Sequence, residues 1–237
     1  MTASPDQRAM DVRSLTAEVI RMGGLAEAQV VDAVDAVVRR DVPLAQALIV
    51  RDLRLDQLQR DIERHALALI AEGYADEADL RCAISALKMA LSLERCGDLA
   101  RNIAKRSVVL AASDPLLPLI GAVERLGRLV STQLRQVLDA YAAQALEPAL
   151  AVWRRDREID EHHEALFRQL LGQMARSPDS IEAGAHMLFI AKNLERIGDH
   201  ATNIAEILHF QVTGEAPKGD RPKRSLAEAE TSQGTIP

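Results

Sequence analysis

The segment from Ala90 to Ala104 returns as the segment from Ala191 to Ala205, identical at ten of fifteen positions. The spacing is close to half the chain, far longer than the roughly 20–50-residue period of solenoid repeats. The chain is therefore a tandem duplication. Each half must help to build a core, and any chemistry in the segment is present twice. Glu94 and Asp98 stand four apart in the first copy, Glu195 and Asp199 in the second.

Composition narrows the fold. Hydrophobic residues make up 48% of the 237-residue chain but aromatics only 3%, and Ala- and Leu-rich stretches run long without Gly or Pro. That is the composition of helix packed on helix, and it excludes an all-β fold. A formal net charge of −6 argues against an extended basic surface for nucleic acid. Cys82 and Cys96 lack any zinc-like or Cys-x-x-Cys spacing, so they read as reduced, partly buried thiols of a cytoplasmic protein. The first residues carry no secretory pattern, and no apolar run reaches the ~18 residues of a membrane span, so a soluble protein is expected.

Breakers at Asp41–Pro43, Gly73–Asp76, Ser113–Pro115, Leu146–Pro148 and Ser177–Asp179 divide the chain into six helices, three per repeat. Pro43 and Pro148 begin the second helix of each repeat, where a proline sacrifices no helical hydrogen bond. The expected fold is all-α, two tandem three-helix bundles over residues 1–112 and 113–212, with 213–237 a mobile tail that has lost periodicity.

In the last helix Met187, Ile190, Leu194, Ile197, Ala201, Ile204 and Leu208 form a bundle stripe, and Leu93, Cys96, Ala100 and Ile103 repeat it in the third. At about 100° per residue, Glu94, Asp98 and Asn102, like Glu195, Asp199 and Asn203, fall opposite the stripe, so these acids are expected to point away from the core.

Acid pairs four apart are weak evidence alone: 35 acids in 237 residues give about five by chance. The second helices add Asp52/Asp56 and Asp156/Asp160, and here spacing becomes informative. In an antiparallel pair, residues equidistant from the connecting turn stand level. Asp52 with Asp98 and Asp56 with Glu94 are both centred on residue 75; Asp156 with Asp199 and Asp160 with Glu195 are both centred between Ser177 and Pro178. Four level carboxylates repel unless a cation or raised pKa values intervene. One reading is an oxygen-rich site for iron, manganese, magnesium, calcium or, less suited, zinc. The other is two acidic seams with Arg54, Arg95, Arg157 and Arg196 as counter-charges. Gly97 and Gly198, at matching positions inside helices, suggest close approach of a neighbouring helix, with tolerated drift as the alternative. His163 shares the face of Asp156 as a further ligand candidate or a structural histidine; His65, His162, His186, His200 and His209 read as structural or solvated.

The run from Leu194 to Glu206 resembles the signature of the PhoU family, as do Met22 to Leu25, Leu55-Asp56, Ile159-Asp160 and the six-helix plan up to about Phe210. The resemblance implies two three-helix bundles and surface clusters of iron or a similar metal held by Asp52, Asp56, Glu94 and Asp98 and by Asp156, Asp160, Glu195 and Asp199. It implies a regulatory adaptor between the ATP-binding subunit of the phosphate ABC transporter and a sensor histidine kinase, suppressing phosphate-starvation genes when phosphate is ample. A homodimer is a further expected assembly. Leu99 and Arg101 depart from their counterparts His200 and Thr202, so the two sites are open to different occupancy.

A carboxylate-bridged di-iron oxidase would need two converging Glu-x-x-His motifs, yet only Glu206 to His209 fits, and its counterpart begins with Lys105. No nucleophile constellation or phosphate-cradling glycine loop is present, so no enzymatic activity is expected. A metal-binding accessory of another phosphate carrier, or a metal-free adaptor, remains the alternative.

Overall fold

The computed structural model describes residues 5–72, 76–112 and 117–218. Among them there is no strand. The helices are α1 (Pro5–Arg39), α2 (Val42–Arg51), α3 (Leu53–Glu72), α4 (Glu77–Leu110), α5 (Leu117–Ala142), α6 (Leu146–Arg154), α7 (Asp156–Arg176) and α8 (Ile181–Thr213), with a 3₁₀ turn at Pro178–Ser180. The six-rod plan holds, but the second rod of each repeat is broken once, into α2/α3 and α6/α7.

The turns that open these broken rods are built alike in both repeats. Arg40 and Gln144 take left-handed backbone angles (φ 55° and 52°), and the next amide reaches back to a helical carbonyl, Asp41 to Ala36 at 3.0 Å and Ala145 to Ala140 at 2.9 Å. Such a bond closes the end of a helix in the absence of glycine. Asp41 then caps α2 by accepting from the Leu44 amide at 2.9 Å, with a proline in the first turn.

The breaks themselves are tight i to i+3 turns. Leu55 N donates to Asp52 O at 2.9 Å; Arg155 N donates to Val152 O and Glu158 N to Arg155 O, both at 3.0 Å. Neither break carries a Gly or Pro signal, which is why the sequence reads through them.

Four long helices, α1, α4, α8 and α5, form a ring in which each packs on the next, so the two three-helix bundles share one core. The broken rods lie outside it, α2/α3 against α1 and α4, α6/α7 against α5 and α8. The expected stripes fill the core: Leu93, Cys96, Ala100, Ile103, Met187, Ile190, Leu194, Ile197, Ala201, Ile204 and Leu208 are all buried. Cys82 and Cys96 are free and buried.

At Gly97 and Gly198 the broken rods approach the ring closely. A Cβ on Gly97 would run into Leu55 Cδ1 and stand 3.0 Å from Asp52 Oδ1; one on Gly198 would stand 2.5 Å from Ile159 Cδ1 and 3.2 Å from its Cγ2. Bare backbone at these points is therefore a packing requirement, not drift. α8 ends where Gly214 adopts φ +79° and its amide donates to Phe210 O at 2.8 Å. The expected tail beyond this cap falls largely on residues 219–237, which lie outside the described residues.

Candidate functional site: two carboxylate seams

Each acid row lies along an outer seam, between α3 and α4 in the first repeat and between α7 and α8 in the second. The four acids of α4 and α8 read as pointing away from the core are only partly covered, but the surface placement that the resemblance implied for all eight acids is corrected at two of them. Asp52 is 1% exposed and Asp156 2%. The cause is the helix break, which resets the angular phase, so a uniform 100° per residue does not apply across it. Both acids sit at the start of the second segment, where free amides and the helix dipole favour a carboxylate. Asp56, Glu94, Asp98, Asp160, Glu195 and Asp199 are half-buried along the seams.

In the first seam the four carboxylates sense one another, as level placement requires. Burial, the largest effect, pushes the Asp52 carboxyl up despite the attraction of Arg101, with Asp98 and Asp56 adding to the rise. Burial likewise raises Glu94, helped by Asp98, Asp56 and Asp52. The row is bridged by Arg101 from one turn further along α4: Nη1 lies 2.5 Å from Asp52 Oδ2, and Nη2 lies 2.6 Å from Asp98 Oδ1. Arg95 takes the other Asp98 oxygen, with Nη1 to Oδ2 at 3.2 Å, and its Nε is 3.5 Å from Glu94 Oε2. Of the counter-charges expected from sequence, Arg95 serves here. Arg157 instead pairs with Glu161 at 2.9 Å, outside the row.

The second seam is closed differently. Thr202, the counterpart of Arg101, donates its hydroxyl to Asp156 Oδ1 at 2.8 Å and is itself fully buried. Glu206, the counterpart of Lys105, accepts from Trp153 Nε1 at 2.9 Å. Lys192 Nζ approaches Glu195 Oε2 at 2.7 Å. His163 is half-buried, its pKa lowered by desolvation against the opposing pull of Glu195, with its ring centroid 6.4 Å from that of Phe167.

Among the described residues, no three His, Cys, Asp or Glu side chains converge on one point as a ready metal cage. The acids form rows, and the fit to a cation differs between them. The first row does not fit, because a guanidinium already stands between Asp52 and Asp98. The second holds Asp156, Asp160, Glu195 and Asp199 with the Thr202 hydroxyl at the arginine position, oxygen donors of the kind hard cations take, with Lys192 on Glu195. Spacing had indicated the rows; it had not indicated Arg101 as a bridge or Thr202 as a donor. The only sequence signal for either is that positions 101 and 202 differ between otherwise similar repeats.

Comparison with known proteins gives the rows a context. The PhoU domain matches residues 19–107 and 123–208, once per repeat. The phosphate-specific transport system accessory protein PhoU homolog of Caulobacter vibrioides is 55% identical over 213 residues, 90% of this chain and 93% of that protein. The homolog of Rhizobium meliloti is 44% identical, covering 91% of each. The crystal structure of PhoU from Pseudomonas aeruginosa superposes with a TM-score of 0.83 at 33% identity, covering 90% of this chain and all of that one. That of the phosphate transport system regulatory protein PhoU from Streptococcus pneumoniae gives 0.82 at 28% identity. No described helix is long and apolar enough to cross a membrane.

Proposed function

Because this chain belongs to the PhoU family, we propose that it is an accessory protein of phosphate-specific transport. In this reading it is a regulatory adaptor that joins the ATP-binding subunit of the phosphate ABC transporter to a sensor histidine kinase and damps phosphate-starvation signalling when phosphate is plentiful. The observation that carries the reading is the doubled family domain, matched once in each repeat over residues 19–107 and 123–208, with all four acid motifs present. The form suits an adaptor without turnover: one shared core, two long seams on its outside, and exposed apolar side chains such as Phe167, Leu171 and Ile181 on α7 and α8. Large apolar groups left in water on a charged surface favour protein contacts.

A metal belongs to this reading at the second seam. Asp156, Asp160, Glu195 and Asp199 would hold an oxygen-favouring ion such as iron or manganese, whose charge would offset the repulsion between carboxylates on one row. The chain's own contribution is to place them: the break before Asp156 turns that carboxylate inward, Thr202 fixes its orientation, and Gly198 lets α7 close on α8.

Deletion of the gene should raise alkaline phosphatase activity and phosphate uptake in phosphate-rich medium, and the purified chain should capture the transporter ATPase subunit or the kinase's cytoplasmic region. Unchanged phosphate regulation in the deletion strain, with neither partner captured, rejects the adaptor.

A further inference from the structure

We infer that the first carboxylate row is closed by the chain's own cation, the Arg101 guanidinium, in the place a metal would take, so that this row takes up no metal while Arg101 is in place. The manganese expected on wild type below rests on the metal reading of the second seam.

The geometry leaves a metal little to bind. Arg101 spans the two helices, one nitrogen on Asp52 of the α2/α3 joint and the other on Asp98 of α4, at 2.5 and 2.6 Å. Asp98 has both oxygens engaged, the second by Arg95. The remaining Asp52 oxygen is pressed against the bare backbone of Gly97, 3.0 Å from where a Cβ would stand. An ion entering between these acids would have to displace a planar, always-charged group that already offers paired donors to carboxylates. One helical turn further on, Lys105 adds a second positive charge whose field reaches Asp52. The corresponding positions of the second repeat hold Thr202, a neutral hydroxyl, and Glu206, an acid. Two cations in one repeat face a neutral residue and an anion in the other. Arg101 thus does in the first seam what an ion would do in the second, tying the broken outer rod to the ring, and it does so whatever the metal supply.

The full chain, purified without chelator and loaded with Mn²⁺, tests this by elemental analysis after gel filtration. Wild type should carry one increment of manganese that Asp52→Asn with Asp98→Asn leaves unchanged and Asp156→Asn with Asp199→Asn removes. Arg101→Thr, the residue the second repeat uses, should gain a further increment, about doubling the content. Manganese on wild type that is lost with Asp52 and Asp98 overturns the inference, as does an Arg101→Thr chain that folds and takes up no more than wild type. Should wild type bind none, the metal reading of the second seam fails separately; uptake by Arg101→Thr would still support the first-seam assignment, and none by either would overturn it. Should that variant not fold, paramagnetic broadening of wild-type amide signals by Mn²⁺ decides. Signals around Asp160 and Asp199 should broaden while those around Asp56 and Asp98 stay sharp; broadening at the latter overturns the inference.

Discussion

Replacing Gly198 with Ala sets two opposing effects against each other where α7 and α8 pack closely in the second seam. In an unobstructed helix the change is worth about 1 kcal/mol in favour of alanine. Here the new methyl would stand 2.5 Å from Ile159 Cδ1 and 3.2 Å from Cγ2, against an optimal carbon–carbon separation of about 3.8 Å. Cδ1 lies at the free end of its side chain and can swing away. Cγ2 is fixed by the stiff χ1 of a β-branched residue in a helix, so α7 itself must retreat by a few tenths of an ångström. Overpacking of this kind costs about 1–3 kcal/mol, and with the propensity gain of about 1 kcal/mol subtracted the net loss is up to about 2 kcal/mol. Gly24→Ala is the matched control, since a Cβ there meets nothing within 4 Å, and it should stabilise by up to about 1 kcal/mol. At about 2–4 °C per kcal/mol for a chain of this size, the melting temperatures should move in opposite directions, down for Gly198→Ala and up for Gly24→Ala. Ile159→Val, which alone costs about 0.5–1.5 kcal/mol, should cost less in the Gly198→Ala background because it removes the nearer clashing carbon. If Gly198→Ala raises the melting temperature as much as Gly24→Ala, or Ile159→Val is equally harmful in both backgrounds, close packing is not what holds glycine there.

Arg101→Met should destabilise by about 3 kcal/mol in urea melts, because it strands a buried Asp52, and Asp52→Asn in the same chain should recover most of the loss; equal stability of wild type and Arg101→Met would contradict this. Thr202→Val, nearly isosteric, should cost about 1–3 kcal/mol by leaving buried Asp156 short of a donor, read by the same melts. Burial lifts the Cys96 thiol to about 12 and also raises Cys82, so at pH 8 a thiol reagent should label Cys82 slowly and Cys96 only on unfolding; rapid labelling of Cys82→Ser protein would refute the packing around Cys96. Burial lowers the pKa of His163, so its contribution is complete above the ordinary histidine value of about 6.5 and is lost as pH falls below that value, where the unfolded chain takes the proton first. His163→Gln should accordingly flatten the fall in stability between about pH 7 and 5, and an unchanged slope would show that other groups set it.

The helical fold was legible because apolar periodicity, proline placement and the repeat itself are all local signals, and each agreed with the others. Residue heights were legible for a similar reason: a helix rises by a constant increment, so Asp56 and Glu94 can be levelled by counting. Direction around the axis is less secure. Asp52 and Asp156 turn inward because the rod breaks beside them, and nothing in Val50–Leu53 or Arg154–Asp156 announces a break by composition; the ring helices they pack against settle it. Arg101 was hidden for a further reason. Its reach depends on the rotamer of a long side chain crossing to another helix, and nearest-neighbour arginines such as Arg157 attract attention while binding elsewhere. The difference between Arg101 and Thr202 was visible as a mismatch, and its chemistry became readable once Asp52 was known to be buried.

The ring of α1, α4, α8 and α5 is what two identical subunits would build if each repeat were a separate chain meeting its twin. A symmetric dimer of that kind is bound by its gene: any substitution appears on both sides, and an arginine placed in one seam is placed in the other. Joining the halves in a single polypeptide removes that constraint while keeping the shared core that neither half could complete alone. One side is then free to become a permanent fastening and the other to respond to its surroundings, a division of labour closed to any homodimer of the same shape.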